Sequence, residues 1–211
     1  MRQKSKIITP RTPNQKRLIQ TLNEKSFTLV NGMFGTGKNF CVQGWACEQL
    51  LAGNFNKIIM SRAVGHLNQV AGYMPGGMTE KMAYYFAQQE EYFKEFLTSQ
   101  QFEKMQRDRV IEILPIGILR GRSFNNCIVI LDECQNSSKD ELILLLTRMG
   151  RGTKMVWMGD ELQADLDTTS FFEKLFHNIE DDDIGKIMLT EEDCLRHKNL
   201  YRWYKKIRDI D

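Results

Sequence analysis

The sequence predicts an α/β domain with a mostly parallel β-sheet and helices on both faces. Apolar stretches of strand length alternate with helical patterns along the chain, which is typical of this architecture. The stretch "CIVILDE" is apolar up to its final acids, as a strand covered on both faces should be. The stretch "FTLVNG" runs straight into a glycine-rich turn that opens a helix. The 211 residues suffice for one such domain.

The first half of the chain is predicted to form helices and strands after a flexible leader, residues 1–11. Thr12 can cap the first helix, Pro13 suits its first turn, and Gln15 completes a capping box. Gly53 ends the second helix. The predicted elements are helix 12–24, strand 27–32, helix 40–53, strand 57–61 and a helical segment 79–109.

The second half continues the alternation. Ser138 and Glu141 form a capping box before one of its helices. The acidic stretch "EDDD" is interpreted as a solvated turn rather than a metal site. The predicted elements are strands 110–114, 127–133, 153–160 and 185–190, and helices 142–149, 169–179 and 191–208.

Composition excludes several classes of protein. The formal net charge is +2, so a nucleic-acid surface would require local clustering of cations. No apolar run approaches the roughly 18 residues of a membrane helix, and the basic N-terminus lacks the apolar region of a secretory signal. The five cysteines are scattered without a C-x-x-C pair, which indicates reduced thiols in a cytoplasmic protein and argues against zinc.

The stretch "NGMFGTGKNF" has the spacing of a phosphate-binding loop. Gly32, Gly35 and Gly37 allow the turns. Lys38 would reach the β- and γ-phosphates, while backbone N–H groups of residues 35–39 hold them at the helix N-terminus. The alternative is a glycine-rich turn with an incidental lysine.

Asn39 stands where such loops carry Ser or Thr, whose hydroxyl binds Mg²⁺. A carboxamide oxygen is also a hard ligand, but it lies one atom farther from the backbone than a hydroxyl. Because Mg²⁺ requires near-octahedral geometry, we expect the ion to be held loosely and hydrolysis to be slow.

Acidic and amide residues follow two of the predicted strands. Asp132 stands where a carboxylate can bind Mg²⁺, and Glu133 can orient or deprotonate an attacking water. The alternative is a pair of charges at a helix N-terminus. Asp160 and Gln163, in "GDELQADL", follow another strand at the edge where open α/β sheets bind ligands, unless they form a capped turn.

Eight stretches occur in a recognisable order: "RTPNQ", "GMFGTGK", "SRAVGHLNQVAGYMPGG", "LRGRSFNN", "IVILDECQN", "LLTRMG", "GDELQADL" and "EDCLRH". Over about residues 10–205 the chain thereby resembles the PhoH-like family of P-loop ATPases, which is similar to the first motor domain of superfamily 1 helicases. The resemblance implies a single P-loop NTPase (RecA-like) domain over residues 12–211, with 79–109 as a helical insertion. It also implies ATP and Mg²⁺ as ligands, a connection with single-stranded RNA, and ring-shaped oligomers, with a hexamer favoured.

The resemblance assigns roles to individual residues. Gln15 would match an adenine-reading glutamine, a role that competes with its capping box. Gln163 would match the γ-phosphate sensor. Arg196 would match the arginine that neutralises transition-state charge, or be a surface arginine on the last helix. Arg148 is a second candidate for that role, or a cation at a helix C-terminus. The implied nucleotide-binding residues are Gln15, Gly32, Gly35, Thr36, Gly37, Lys38, Asn39 and Phe40.

Three arginines in loops, Arg62, Arg120 and Arg122, match family positions that would face nucleic acid or a neighbouring subunit. Gly121 would let a phosphate approach the backbone, while the alternative is solvated loop arginines. The family usually has a proline after the arginine at position 62, whereas this chain has Ala63.

The motifs and the resemblance together therefore predict an ATP-binding protein that hydrolyses ATP slowly, and the resemblance implies that it acts on or with RNA, as a helicase or in association with a ribonuclease. The alternative, favoured by Asn39, is an ATP-binding oligomeric scaffold with little turnover. A small-molecule kinase would not explain the adjacent acids of Asp132 and Glu133.

Overall fold

The computed structural model describes residues 7–63, 78–163, 170–197 and 199–210. Its strands are β1 Phe27–Gly32, β2 Lys57–Arg62, β3 Ile111–Ile113, β4 Cys127–Asp132, β5 Lys154–Gly159 and β6 Ile184–Leu189. Its α-helices are α1 Pro13–Glu24, α2 Lys38–Leu51, α3 Met78–Lys94, α4 Ser99–Arg107, α5 Lys139–Leu146, α6 Phe171–Asn178 and α7 Leu200–Arg208. Short 3₁₀ turns occupy Ile116–Leu119, Cys134–Asn136, Glu161–Gln163 and Glu191–Asp193.

The described strands form one sheet in the order β3-β2-β4-β5-β1-β6, and every pair in it is parallel. The central strands β1 and β4 are buried at every position, which explains why they read as continuous apolar runs. The predicted parallel α/β fold is confirmed.

Alternate residues of the strands pack into two separate cores. Ile128 and Ile130 of β4 lie in the core beneath α1, α2 and the two helices that follow β2. Val129 and Leu131 lie in the opposite core, beneath α5 and α6. Because successive side chains of a strand point to opposite faces, this division places helices on both sides of the sheet, as predicted.

The start of α1 differs in one detail from the predicted capping box. Thr12 caps the helix by accepting a hydrogen bond from the Gln15 N–H at 3.2 Å. The Gln15 side chain does not return that bond to Thr12, because its Oε1 accepts from the Arg11 N–H at 2.8 Å. Upstream, Ile8 is buried and its N–H donates to Glu48, so packed chain begins before residue 12.

The predicted final helix, 191–208, is wrong over its first part. Residues 191–193 form a tight turn and α7 begins only at Leu200. The cause is Asp193, whose buried carboxylate accepts hydrogen bonds from the Thr190 N–H, from Thr12 Oγ1 and from Asn14 Nδ2. These bonds tie the turn to α1 and redirect the chain before a helix can form.

The predicted helical segment 79–109 consists of two helices, α3 and α4. The second begins at a capping box in which Thr98 and Gln101 exchange hydrogen bonds. The box predicted for Ser138 and Glu141 is confirmed at the start of α5, which begins three residues earlier than expected.

All five cysteines are unpaired in the fold, and four of them are buried. Within the described ranges, no helix combines the length and apolarity needed to cross a bilayer.

Candidate nucleotide-binding site

The glycine-rich loop links β1 to α2 and has the geometry of an anion site. Gly35 and Gly37 adopt φ angles of +78° and +82°, which side chains disfavour. Thr36 is buried, and its hydroxyl donates to the Met33 carbonyl at 2.7 Å, which closes the turn. Among the residues that the structure describes, no side chain caps α2 at Gly37, and the N–H groups that open a helix are the ones that bind anions.

Gln15 supports this loop from α1. Its Nε2 donates to the Thr36 carbonyl at 2.9 Å, and a Cβ on Gly37 would lie only 3.0 Å from that nitrogen. Both polar ends of the Gln15 side chain are therefore engaged by the backbone of Arg11 and Thr36. Adenine recognition by Gln15 stays a prediction.

Lys38 opens α2 and lies among the carboxylates. Its Nζ donates to the carbonyl oxygens of Gly32 and Met33. Burial lowers the pKa of Lys38, and the charges of Asp160, Asp132 and Glu133 partly oppose this shift. An ammonium group placed in this way carries a charge that little water screens, which strengthens its attraction for phosphate.

Asp132 ends β4 beside the loop and is only 3% exposed. Its Oδ2 accepts hydrogen bonds from Asn39 Nδ2 and from Gln89 Nε2, both at 3.1 Å. Burial raises the pKa of Asp132, and the adjacent charge of Glu133 raises it further. The carboxylate is therefore held by amide donors from two different helices.

Glu133 has a left-handed backbone with φ +56°, a conformation that costs a non-glycine residue about 1–3 kcal/mol. Its Oε1 accepts a hydrogen bond from Arg62 at 3.1 Å, and its Oε2 accepts from Gln135 at 2.6 Å. Arg62 reaches Glu133 because it pairs in register with Asp132 across the neighbouring strands. Arg62 thus lies inside the site.

Gln135 joins two strand ends. It is buried, donates to Glu133, and accepts a hydrogen bond from the Asp160 N–H at 3.0 Å. Burial raises the pKa of Asp160, which the charge of Lys38 partly offsets. The sequence contained Gln135 in "IVILDECQN", but no spacing rule assigned it a contact.

Arg196 reaches the site from the segment between the turn at residues 191–193 and α7, not from the last helix itself. The Leu195 N–H donates to the Gly35 carbonyl at 3.2 Å, which lays this segment across the loop. A Cβ on Gly35 would lie 3.0 Å from both Arg196 Cδ and Cys194 Sγ. The absence of a side chain at Gly35 therefore permits this close approach.

These residues line a cleft of about 360 Å³, a size that suits a small-molecule ligand. Four lining residues were not predicted from the sequence: Met33, Phe34, Gln88 and Tyr92. The predicted residues that line it are Gly35, Gly37, Lys38, Asn39, Arg62, Asp132, Glu133, Asp160, Gln163 and Arg196.

Several predicted site residues lie elsewhere. Phe40 packs on Phe96, with ring centroids 4.9 Å apart, beside the core rather than in the cleft.

Arg148 also lies away from the cleft: its carbonyl accepts a hydrogen bond from the Phe124 N–H, and its Nε donates to the Leu144 carbonyl. Phe124 lies before the start of β4, whereas the site lies at the end of β4. At 3.3 Å per residue, the two are about 25 Å apart. Arg148 therefore does not reach its own site.

Arg120 and Arg122 also lie away from the cleft. Arg122 makes a two-pronged ion pair with Glu112, at 2.7 and 3.3 Å, and Lys57 contacts the same carboxylate at 2.8 Å. Lys57 begins β2 while Arg62 ends it, so about 17 Å separate the cluster from the cleft. Arg120 is exposed beside Gly121.

The corner of the cleft at Asp132 fits a magnesium ion. Its carboxylate is a hard ligand of the kind that Mg²⁺ prefers. Mg²⁺ usually binds through one or two carboxylates and keeps several waters, so one carboxylate of this kind is a sufficient protein ligand. Asn39 turns Nδ2 toward Asp132, and its Oδ1 accepts from Gln43 at 3.2 Å. Direct ligation by Asn39 stays a prediction.

Comparison with solved structures supports the fold assignment. The large terminase of a thermophilic bacteriophage superposes with a TM-score of 0.54 and 10% identity, over 94% of this chain and 50% of that one. The Hef helicase domain of Pyrococcus furiosus gives 0.52 and 11%, over 85% and 38%. At such identities the likeness concerns the P-loop ATPase fold alone.

Sequence comparison identifies the family. A PhoH-like protein of Mycobacterium tuberculosis is 31% identical over 92% of this chain and 56% of its own length. A PhoH-like protein of Bacillus subtilis is 30% identical over 92% and 62%. The chain thus spans little more than half the length of these relatives. The family profile described as PhoH-like protein matches residues 7–208. The chain belongs to the PhoH-like family.

Proposed function

We propose that this chain binds ATP in the cleft and hydrolyses it slowly. The observation that carries the proposal is the convergence of a glycine-rich loop, Lys38, Asp132 and Glu133 in one cleft. Loop N–H groups and Lys38 hold the phosphates, as the helix N-terminus and buried ammonium favour anions. A Mg²⁺ ion bound at Asp132 would supply charge neutralisation on the β- and γ-phosphates.

Glu133 is the general base of the proposed reaction. A water attacks the γ-phosphorus, gives its proton to Glu133, and the bond to the bridging oxygen of ADP breaks. Arg62 and Gln135 hold the two carboxylate oxygens of Glu133 and so fix its orientation. Arg196 and Gln163 line the cleft, where they can contact the transferred phosphoryl group.

Phosphate release tests this function directly. We expect the purified chain to release phosphate from ATP in the presence of Mg²⁺, at a rate that ADP inhibits. Tight ATP binding without release would favour the oligomeric scaffold instead. The observation favouring that alternative is Asn39, which donates to Asp132 where the family carries a hydroxyl.

Substituting Asn39→Thr is expected to raise turnover and leave ATP affinity nearly unchanged. A threonine hydroxyl binds Mg²⁺ from its usual distance and removes a donor from Asp132. Each 1.36 kcal/mol regained in the transition state speeds the step about tenfold. Steady-state kinetics across a magnesium titration measure the effect, with Asn39→Ala as the control that removes the donor without adding a ligand. A threonine variant no faster than wild type would show that Asn39 is a competent magnesium ligand or serves another purpose.

We further propose that the protein binds single-stranded RNA through exposed cations that include Arg120. Substituting Arg120→Ala should weaken binding, and the slope of log affinity against log salt should fall by about 0.7, the value for one phosphate contact. Arg122 is held by Glu112, so Arg120 is the more accessible of the two. Fluorescence anisotropy with Arg17→Ala, an exposed arginine on α1, is the matched control. Equal losses in both variants would remove this role from Arg120.

A ring-shaped homo-oligomer, with a hexamer favoured, is proposed as the working form. Enzymes with such clefts often close them with a loop or a domain that moves over the ligand. A neighbouring subunit would supply that closure, and Arg148, remote from its own cleft, is available to a neighbour. Light scattering at micromolar protein with ATP is expected to show the oligomer. A strict monomer under these conditions would contradict it.

A further inference from the structure

Helix α3 contacts the corner of the cleft at Asp132, where magnesium is proposed to bind, through one side chain. Gln89 is completely buried, and its Nε2 donates to Asp132 Oδ2 at 3.1 Å. Its neighbours on the cleft side of the helix, Gln88 and Tyr92, line the cleft. A helix that the sequence presents as an insertion thus forms a wall of the site.

The packing of this helix fixes Gln89 firmly. Phe93 and Phe96, from the end of α3 and the turn after it, are buried against α2. A Cβ on Gly44 of α2 would lie only 2.5 Å from Phe96 Cζ, so the glycine allows the close contact. Because the neighbouring side chains have little freedom to move, the position of Gln89 follows from the core.

The buried carboxamides around Asp132 have oxygen atoms without partners. Within the described residues, Oε1 of Gln89 and Oε1 of Gln43 are buried and accept no hydrogen bond. Leaving such an oxygen unsatisfied costs about 1–3 kcal/mol. Since Oε1 and Nε2 of Gln89 belong to one carboxamide, that oxygen lies close to Asp132.

A hydrated magnesium ion held by Asp132 would supply the donor that Gln89 Oε1 lacks. Mg²⁺ keeps several waters when it binds a protein, and those waters donate strongly to nearby acceptors. An acceptor for such a water lies roughly 4–5 Å from the ion, given about 2.1 Å for Mg–O and about 2.7 Å for the hydrogen bond. The Gln89 carboxamide is hydrogen-bonded to Asp132, so with Asp132 as a ligand it would be near enough to accept from such a water.

We propose that Gln89 is a positioning residue for the magnesium ion: its Nε2 holds Asp132, and its Oε1 accepts a hydrogen bond from a water of the ion. This inference rests on the proposed ATP site, and it gives α3 a function in that site. Losing such a partner typically weakens metal binding about 10–100-fold.

Manganese binding tests the proposal without reference to turnover. Electron paramagnetic resonance would measure Mn²⁺ affinity for the protein–ADP complex, and calorimetry in EDTA would measure ATP affinity without metal. We expect Gln89→Leu to weaken Mn²⁺ binding about 10–100-fold and leave metal-free ATP affinity within about twofold. Glu91→Gln, on the exposed side of the same helix, is the matched control and should match wild type.

A second variant separates acceptor from donor. Gln89→Glu keeps an oxygen acceptor but loses the N–H that holds Asp132, so its Mn²⁺ affinity should lie clearly above that of Gln89→Leu. If it loses affinity as the leucine variant does, the acceptor role is wrong; if neither variant changes affinity, the whole proposal is wrong. Should Gln89→Leu not fold, Gln89→Met keeps the length of the side chain and carries the same expectation. A wild-type protein that binds no ATP would instead contradict the proposed function.

Discussion

Substituting Lys38→Ala is expected to weaken ATP binding about 100-fold or more, since each hydrogen bond to a charged group contributes about 1.5–3 kcal/mol and this ammonium can make several. Lys38 is the cation at the centre of the loop, with Asp160 and Asp132 close enough to influence its pKa. Without it, the triphosphate would lose the cation that the loop places between the phosphates and these carboxylates. Repulsion therefore adds to the lost attraction.

Calorimetry with ATP and Mg²⁺ measures the loss. Lys16→Ala, an exposed lysine on α1, controls for the change in net charge and should bind as wild type does. Circular dichroism melts of both variants establish that the fold persists. ATP affinity unchanged in Lys38→Ala, with a folded protein, would show that the loop is not the nucleotide site.

The sequence was sufficient to locate the loop and the acids, because each lies within one short stretch. In "GMFGTGK" the glycines and the lysine are fixed by local backbone geometry, and Gly35 and Gly37 indeed carry positive φ angles. Asp132 follows an apolar strand, and strand direction alone places it at the ligand-binding edge. Such inferences need no knowledge of distant contacts.

The residues that the sequence missed are those whose partners are distant in the chain. Gln89 lies 43 residues before Asp132, and the helical pattern of its segment specified neither the face nor the element against which it packs. Gln135 is only two residues from Glu133, yet its second contact is with the Asp160 N–H, which depends on the order of strands in the sheet. Both contacts depend on which elements lie side by side in the folded protein.

The arginines show the same limit. The five candidate arginines looked alike in the sequence as cations of loops or helices, and only the fold distinguished their contacts. Arg62 meets Glu133 because β2 and β4 are neighbours in register. Arg122 pairs with Glu112 near the other end of β2, so its charge is already partnered. Burial nevertheless has the larger effect on the pKa of Asp132. That pKa is raised, although the nearby charge of Arg62 lowers it.

Substituting Glu133→Gln is expected to preserve ATP binding and slow turnover about 10²–10⁴-fold, the usual contribution of a general base. The amide has the same shape, so the left-handed backbone and the packing around it are retained. What it lacks is a basic oxygen for the proton of the attacking water. The lost ion pair with Arg62, which is partly exposed, should cost no more than about 1 kcal/mol of stability.

Single-turnover phosphate release, with ATP affinity measured in parallel, separates chemistry from binding in this variant. Glu133→Asp should lie between wild type and Glu133→Gln, because it keeps a carboxylate but withdraws it from Arg62 and Gln135 by one methylene. Glu192→Gln, an exposed acid outside the cleft, is the control and should release phosphate at the wild-type rate. A Glu133→Gln protein that hydrolyses ATP normally would exclude this residue as the base. A wild type that binds ATP and never hydrolyses it would instead make the chain a scaffold, in which the strained backbone at Glu133 has no catalytic reason.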